Sequence, residues 1–181
     1  MNESFAEHYL RNVIKEFRGD KILAEKAFLQ LDDADFFATI DAESNSIAVI
    51  IQHLSGNMLS RWTDFLTTDG EKPDRHRDAE FESGTDTSRE SLFARWESGW
   101  VCLLGAIESL RPDDLSKQVY IRGEAHSVIE AINRQLTHYA YHVGQIVFLA
   151  KHLKAAGWNS LSIPRSGSKA FNTSMKEEPK T

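Results

Sequence analysis

His138 and His142 stand four residues apart in the run Thr-His-Tyr-Ala-Tyr-His-Val. On a helix, that spacing stacks two imidazoles one turn apart on one face, so a ring nitrogen from each can reach a single metal ion. Two ligands do not make a catalytic centre, which usually takes three protein ligands and leaves a position open for water or substrate. A His-x-x-x-His pair also arises by chance, and half-buried histidines commonly bond a carbonyl or a carboxylate. A metal site therefore needs a third ligand, from another helix facing the same core.

The element that must position the pair spans residues 127–153. It opens on Ser127 and Glu130, a capping box that satisfies backbone N–H groups at a helix start, and runs without proline to Gly157. Val128, Ile132, Leu136, Tyr139, Ile146, Leu149 and Leu153 recur at helical spacing and form a core stripe, with the two histidines beside it.

The third ligand candidate is His53. Asn45 or Ser46 caps a helix expected to run to about Thr68, with Ile47, Ile50, Ile51, Leu54, Met58, Trp62 and Phe65 as its stripe. His53, at the margin of that stripe, points toward the core. Alone it reads equally as a core histidine bonded to a backbone carbonyl. If this helix faces the last long one, three histidines meet.

Two more amphipathic helices complete the pattern. Residues 4–31 carry Phe5, Tyr9, Val13, Ile14, Phe17, Ala24, Phe28 and Leu31, with Gly19 weakening the middle. Thr87 and Glu90 form a further capping box for a helix with Leu92, Phe93, Trp96, Trp100, Leu103, Leu104, Ile107 and Leu110, ended by Pro112. Phe36 and Phe37 are expected to pack back onto the core.

Residues 69–86 are charged and turn-rich and read as a long loop, of the length that is usually functional or disordered. Arg75 and Arg77 there suit either an anionic substrate group or a solvated charge run, and His76 reads as a surface residue. Val119 to Gly123 looks like an extended piece ending in a turn. Glu124 and His126 read as loop polar groups or as partners of the bundle end. His8 and His152 lack context, and Cys102 is a packing residue. Gln135, Gln145 and Asn57 lie where they could orient the ligands or a water, although each is also an ordinary helix polar residue. No carboxylate presents itself as a general base. The end of the chain, low in helix signal, divides the sequence into one domain over 1–172 and a polar flexible tail over 173–181.

The 181 residues, 41% hydrophobic, suffice for one domain with a real core. Net charge is −6 with scattered Lys and Arg, which argues against nucleic acid. One cysteine excludes an internal disulfide framework and fits a reducing cytoplasm. The N-terminus lacks the pattern of a signal peptide, and no apolar run approaches the roughly 20 residues that span a bilayer.

With these residues in hand the chain resembles the DinB-like (YfiT-like) superfamily, and within it an uncharacterised bacterial branch. The resemblance is carried by Ser46 to Leu54, including His53, with Trp62 nine residues beyond it, and by Asn133 to Gln145, including His138 and His142. The branch also shows an Asp-Gly-Glu-Lys-Pro loop, here Asp69 to Pro73, and a Ser-Ile-Pro-Arg tail, here Ser162 to Arg165. The resemblance implies an all-α four-helix bundle with up-down-down-up type connectivity, and a divalent metal, zinc or nickel first among candidates, held by His53, His138 and His142. Characterised relatives include thiol-dependent S-transferases and a mycothiol-dependent maleylpyruvate isomerase. Thiol transfer or small-molecule hydrolysis is thus implied, with a low-molecular-weight thiol as a further cofactor, and DNA repair is not. The competing expectation is a non-catalytic bundle that binds a ligand or partner, with a structural metal or none. An acidic helical bundle with four tryptophans is also compatible with a homodimer.

Overall fold

The computed structural model describes residues 3–82 and 88–177. Helix α1 (Phe5–Phe28) starts at Ser4, whose hydroxyl accepts the Glu7 N–H at 3.2 Å while the Glu7 carboxylate accepts the Ser4 N–H at 2.7 Å. Helix α2 (Ile47–Trp62) starts at Ser46 and helix α3 (Arg89–Glu108) at Ser88, each through its hydroxyl. Thr87, expected to cap α3, lies outside the described residues. Strands β1 (Gln118–Ile121) and β2 (Glu124–Ser127) form an antiparallel hairpin, which leads into helix α4 (Val128–Lys154) through the expected Ser127/Glu130 capping box.

The fold is predominantly helical. The four long helices share one hydrophobic core, with α2 packed chiefly on α3 and α1 on α4. At its centre Phe17, Trp62, Trp100 and Tyr139 meet edge-on or tilted, at ring separations of 6.0–6.4 Å. The Tyr139 hydroxyl accepts from Trp62 Nε1 and donates to Asn57 Oδ1, each at 3.0 Å. Gly99 lets α3 come close to α2, since a Cβ there would sit 3.1 Å from the Ser55 Cα.

Four features depart from the sequence reading. Helix α2 ends at Trp62 rather than near Thr68, because Thr63 is extended and Asp64 turns left-handed at φ 49°. The Asp64 carbonyl then accepts the N–H groups of Thr67 and Thr68, a local bonding scheme that competes with continued helix. Only Phe36 packs inward, against Phe28 and Phe93, while Phe37 stays 44% exposed. The tail expected from residue 173 begins inside a helix, α5 (Ser168–Glu177). That segment contains no Pro or Gly, but its two large apolar residues, Phe171 and Met175, are exposed and supply no core stripe to read. Residues 178–181 lie outside the described residues.

The largest departure is the charged loop. Fourteen of the sixteen residues of α2 are buried, because the chain after Gly70 wraps over its outer side and ends in a 3-10 turn, Asp78–Phe81. The wrap is pinned at the hairpin. The turn Arg122-Gly123 has φ 57° and 75°, the positive pair that a two-residue type I′ hairpin requires. Both of its N–H groups donate to the Asp69 carboxylate, at 2.8 and 2.7 Å, and Gly70 N–H donates to the Tyr120 carbonyl at 2.8 Å. Among the described residues, no helix is long and apolar enough to cross a membrane.

Candidate metal centre

Helical spacing puts His138 and His142 on one face of α4, and packing of α2 brings His53 up to them. His138 Nε2 lies 3.3 Å from His53 Nε2 and 3.1 Å from His142 Nε2, and one ligand atom from each ring falls within 4.8 Å of both others. These spacings suit an ion: tetrahedral zinc with Zn–N bonds of about 2.0–2.1 Å separates its nitrogen ligands by about 3.3 Å. His53 is 5% exposed, so it belongs to the core rather than to the edge of its stripe.

The hydrogen bonds behind the rings assign their tautomers. His53 Nδ1 lies 2.9 Å from Glu80 Oε2, and a carboxylate only accepts, so that nitrogen carries the proton. Gln145 gives its amide N–H to the Tyr141 hydroxyl at 3.1 Å, which leaves its oxygen to accept from His142 Nδ1 at 2.8 Å. The Nε2 atoms of His53 and His142 both face His138 Nε2. His138 Nδ1 is buried without a partner. Whichever nitrogen of His138 holds the proton, the protein alone leaves at least one of these atoms unsatisfied. Three inward lone pairs around one cation remove that conflict, which is the sense in which the residues fit a metal.

Electrostatics point the same way. Burial, reinforced by the neighbouring His142 and His53, pushes the His138 imidazole down to about 3. Burial also lowers His142, partly offset by its bond to Gln145. Both rings are held neutral, as metal ligands must be.

Glu80 escaped the sequence reading. Burial alone would raise its carboxyl, but bonds from His53 and Arg75 and the Arg75 charge hold it below the ordinary glutamate value. The sequence carried one signal for it: Phe81, a lone aromatic in a charged run, packs 4.9 Å from the His53 ring and seats its neighbour on α2. Arg75, read as an anion binder or a solvated charge, is instead 5% exposed and engages both Glu80 oxygens, at 2.7 and 2.8 Å. Arg77 remains at the surface, stacked on Phe81 and near Asp78.

The remaining candidates separate cleanly. Gln145 bonds the His142 ring at 2.8 Å. Asn57 serves the Tyr139 hydroxyl instead, and Gln135 lies with Arg61 and Trp62 near the hairpin. His126 is on β2, 3.5 Å from Glu124, away from the centre. His8, His76 and His152 are exposed, and Cys102 touches Thr63 at 3.5 Å. A cavity of about 720 Å³ opens beside α2 between Gln52, Leu59, Lys72 and Arg95. Arg75 and Glu80 form part of its wall, and none of the three histidines does.

The sequence model of the family described as "Protein of unknown function (DUF1572)" matches residues 4–167. No curated protein matches the chain.

Proposed function

We propose that this chain, which belongs to the DUF1572 family, is a divalent-metal-dependent enzyme of the DinB-like kind, a thiol-dependent S-transferase or small-molecule hydrolase. One observation carries the reading: three imidazoles from α2 and α4 converge on one point with their other polar contacts directed away from it. The four long helices around one core are in keeping with a four-helix bundle of that superfamily.

His53, His138 and His142 would hold the ion, zinc or nickel by the softness of imidazole ligands. Bound there, a divalent ion acidifies a water or thiol taken at a position the protein leaves open. The chain's own part is to keep His138 and His142 neutral, to fix His53 through Glu80 and His142 through Gln145, and to keep the centre largely buried. The cavity beside α2 has the size of a small-molecule site. Tyr141 and Phe148, 61% and 64% exposed on α4, would suit a second copy of the chain. A cytoplasmic setting fits the single free cysteine.

A second reading, a bundle that binds a ligand or partner without catalysis, draws on Glu80. Both its oxygens are engaged by Arg75, so this carboxylate is poorly placed to take a proton.

The deciding measurement is metal content by elemental mass spectrometry on protein made without a histidine tag, beside His53→Ala, His138→Ala and His142→Ala. Near one divalent ion per chain is expected, lost in all three variants with the fold kept, and thiols and electrophiles are then screened. A chain that takes up neither zinc nor nickel would end the enzyme reading.

A further inference from the structure

We infer that Glu80 is the positioning carboxylate of the metal centre, seated on His53 by Arg75 and admitted to the surface of α2 by Gly56. The inference rests on the metal reading above and names what sets the affinity of that site.

Glu80 reaches the centre from a segment far from either ligand helix in sequence, and its side chain is only 11% exposed. Its contact to His53 Nδ1 forces the proton onto that nitrogen and turns the Nε2 lone pair toward His138. Among the described residues, the three rings are not treated alike. His142 has a neutral amide behind it, His138 has nothing, and His53 alone has a negative charge. A carboxylate behind a ligating imidazole orients the ring and raises its basicity, so His53 becomes the strongest donor of the three.

Two features hold the carboxylate in place. Arg75 grips both oxygens in a bidentate pair and is itself 3.5 Å from Glu71, which also pairs with Arg61 and Arg122. Gly56 lies three residues beyond His53 inside α2, where glycine is the poorest helix former after proline. A Cβ at that position would overlap Glu80 Oε1 and lie 2.8 Å from its Cδ. The glycine thus leaves room for a carboxylate lying flat on the helix beside the histidine. Any side chain there displaces it.

The test is zinc affinity of the full chain, by competition with a chromophoric chelator, for wild type, Glu80→Gln, Gly56→Ala and Arg122→Ala, with thermal melts of the metal-free proteins. Glu80→Gln and Gly56→Ala are expected to bind zinc about 10- to 100-fold more weakly. Arg122→Ala, at the far end of the ion network, should keep wild-type affinity. Gly56→Ala adds a better helix former and keeps the Glu80 charge on the loop beside Arg75, so its metal-free melting temperature should fall less than that of Glu80→Gln. It carries the test if Glu80→Gln does not fold. A residue that only braced the loop would lower melting temperatures and leave affinity untouched. Wild-type affinity in both Glu80→Gln and Gly56→Ala overturns the inference while the metal reading stands. A wild-type chain that binds no zinc overturns both.

Discussion

Two buried polar clusters touch α2, and they are built on opposite principles. On the hairpin side, three arginines gather on one carboxylate: Glu71 accepts from Arg61 at 2.9 Å, from Arg122 at 3.1 Å and from Arg75 at 3.5 Å, and Arg61 also donates to the Gly70 carbonyl. Its one loose end, Arg61 Nε, lies with the equally unpartnered Gln135 Oε1 at a cavity of about 10 Å³, room for about one water. On the α4 side, three imidazoles turn their Nε2 atoms toward one another. In the first cluster each arginine has a carboxylate partner within the protein. Among the described residues, the second leaves His138 Nδ1 without a partner. Buried polar groups are nearly always paired, so an unfinished set marks a place for a ligand and a finished one marks structure.

The comparison breaks first at His138. Its replacement by alanine should abolish metal uptake, read by elemental analysis, and leave the metal-free fold near wild-type stability, because the ring removed is the one with an unpartnered nitrogen. Equal loss of stability and of metal would make the centre structural. Next is the ion network. Glu71→Ala strands the Arg61 side chain, 6% exposed, without its carboxylate and should lower unfolding free energy by about 3 kcal/mol in urea titrations of the metal-free protein. Little change would mean that the network is as dispensable as a surface ion pair.

Tyr139→Phe tests a closed set between the two. It leaves Trp62 Nε1 and Asn57 Oδ1 buried without their shared partner and should cost about 2 kcal/mol, with zinc affinity unchanged although residue 138 is its neighbour. The smallest effect concerns an acid outside either cluster. Burial and the nearby Glu16 push Asp20 up to about 6. Folding therefore takes up a proton between the ordinary aspartate value and about 6, and stability falls as pH rises through that window. Asp20→Asn should flatten that slope and gain about 1 kcal/mol at pH 7 after allowance for solvent screening. Asp69 and Glu71 shift the other way, Asp69 chiefly through the backbone N–H groups it accepts and Glu71 because arginine bonds outweigh its burial. An unchanged slope in Asp20→Asn would remove the contrast.

The centre was legible in the sequence to the extent that it is made of helices. His138 and His142 share a face by spacing alone, and His53 is drawn inward by Ile50 and Leu54. Glu80 was not legible, because the segment that delivers it has neither helical nor strand period, and its charges read as solvated until their partners are seen. Gly56 and Gly99 look like weak points in helices and are instead places where another group comes close. The end of α2 was overrun because the stripe continues through Phe65, which is buried from a turn rather than from the helix.

By itself, the sequence determined the long helices, the Ser127/Glu130 cap of α4 and the apolar faces that must meet, since these follow from periods and side-chain bonds within a few residues. It also determined that two histidines would stand together. Only the tertiary structure decided that a third would complete the set, and that a carboxylate would cross from a charged loop to stand behind it. Those contacts join residues 27 to 85 positions apart, and no local rule of spacing reaches that far.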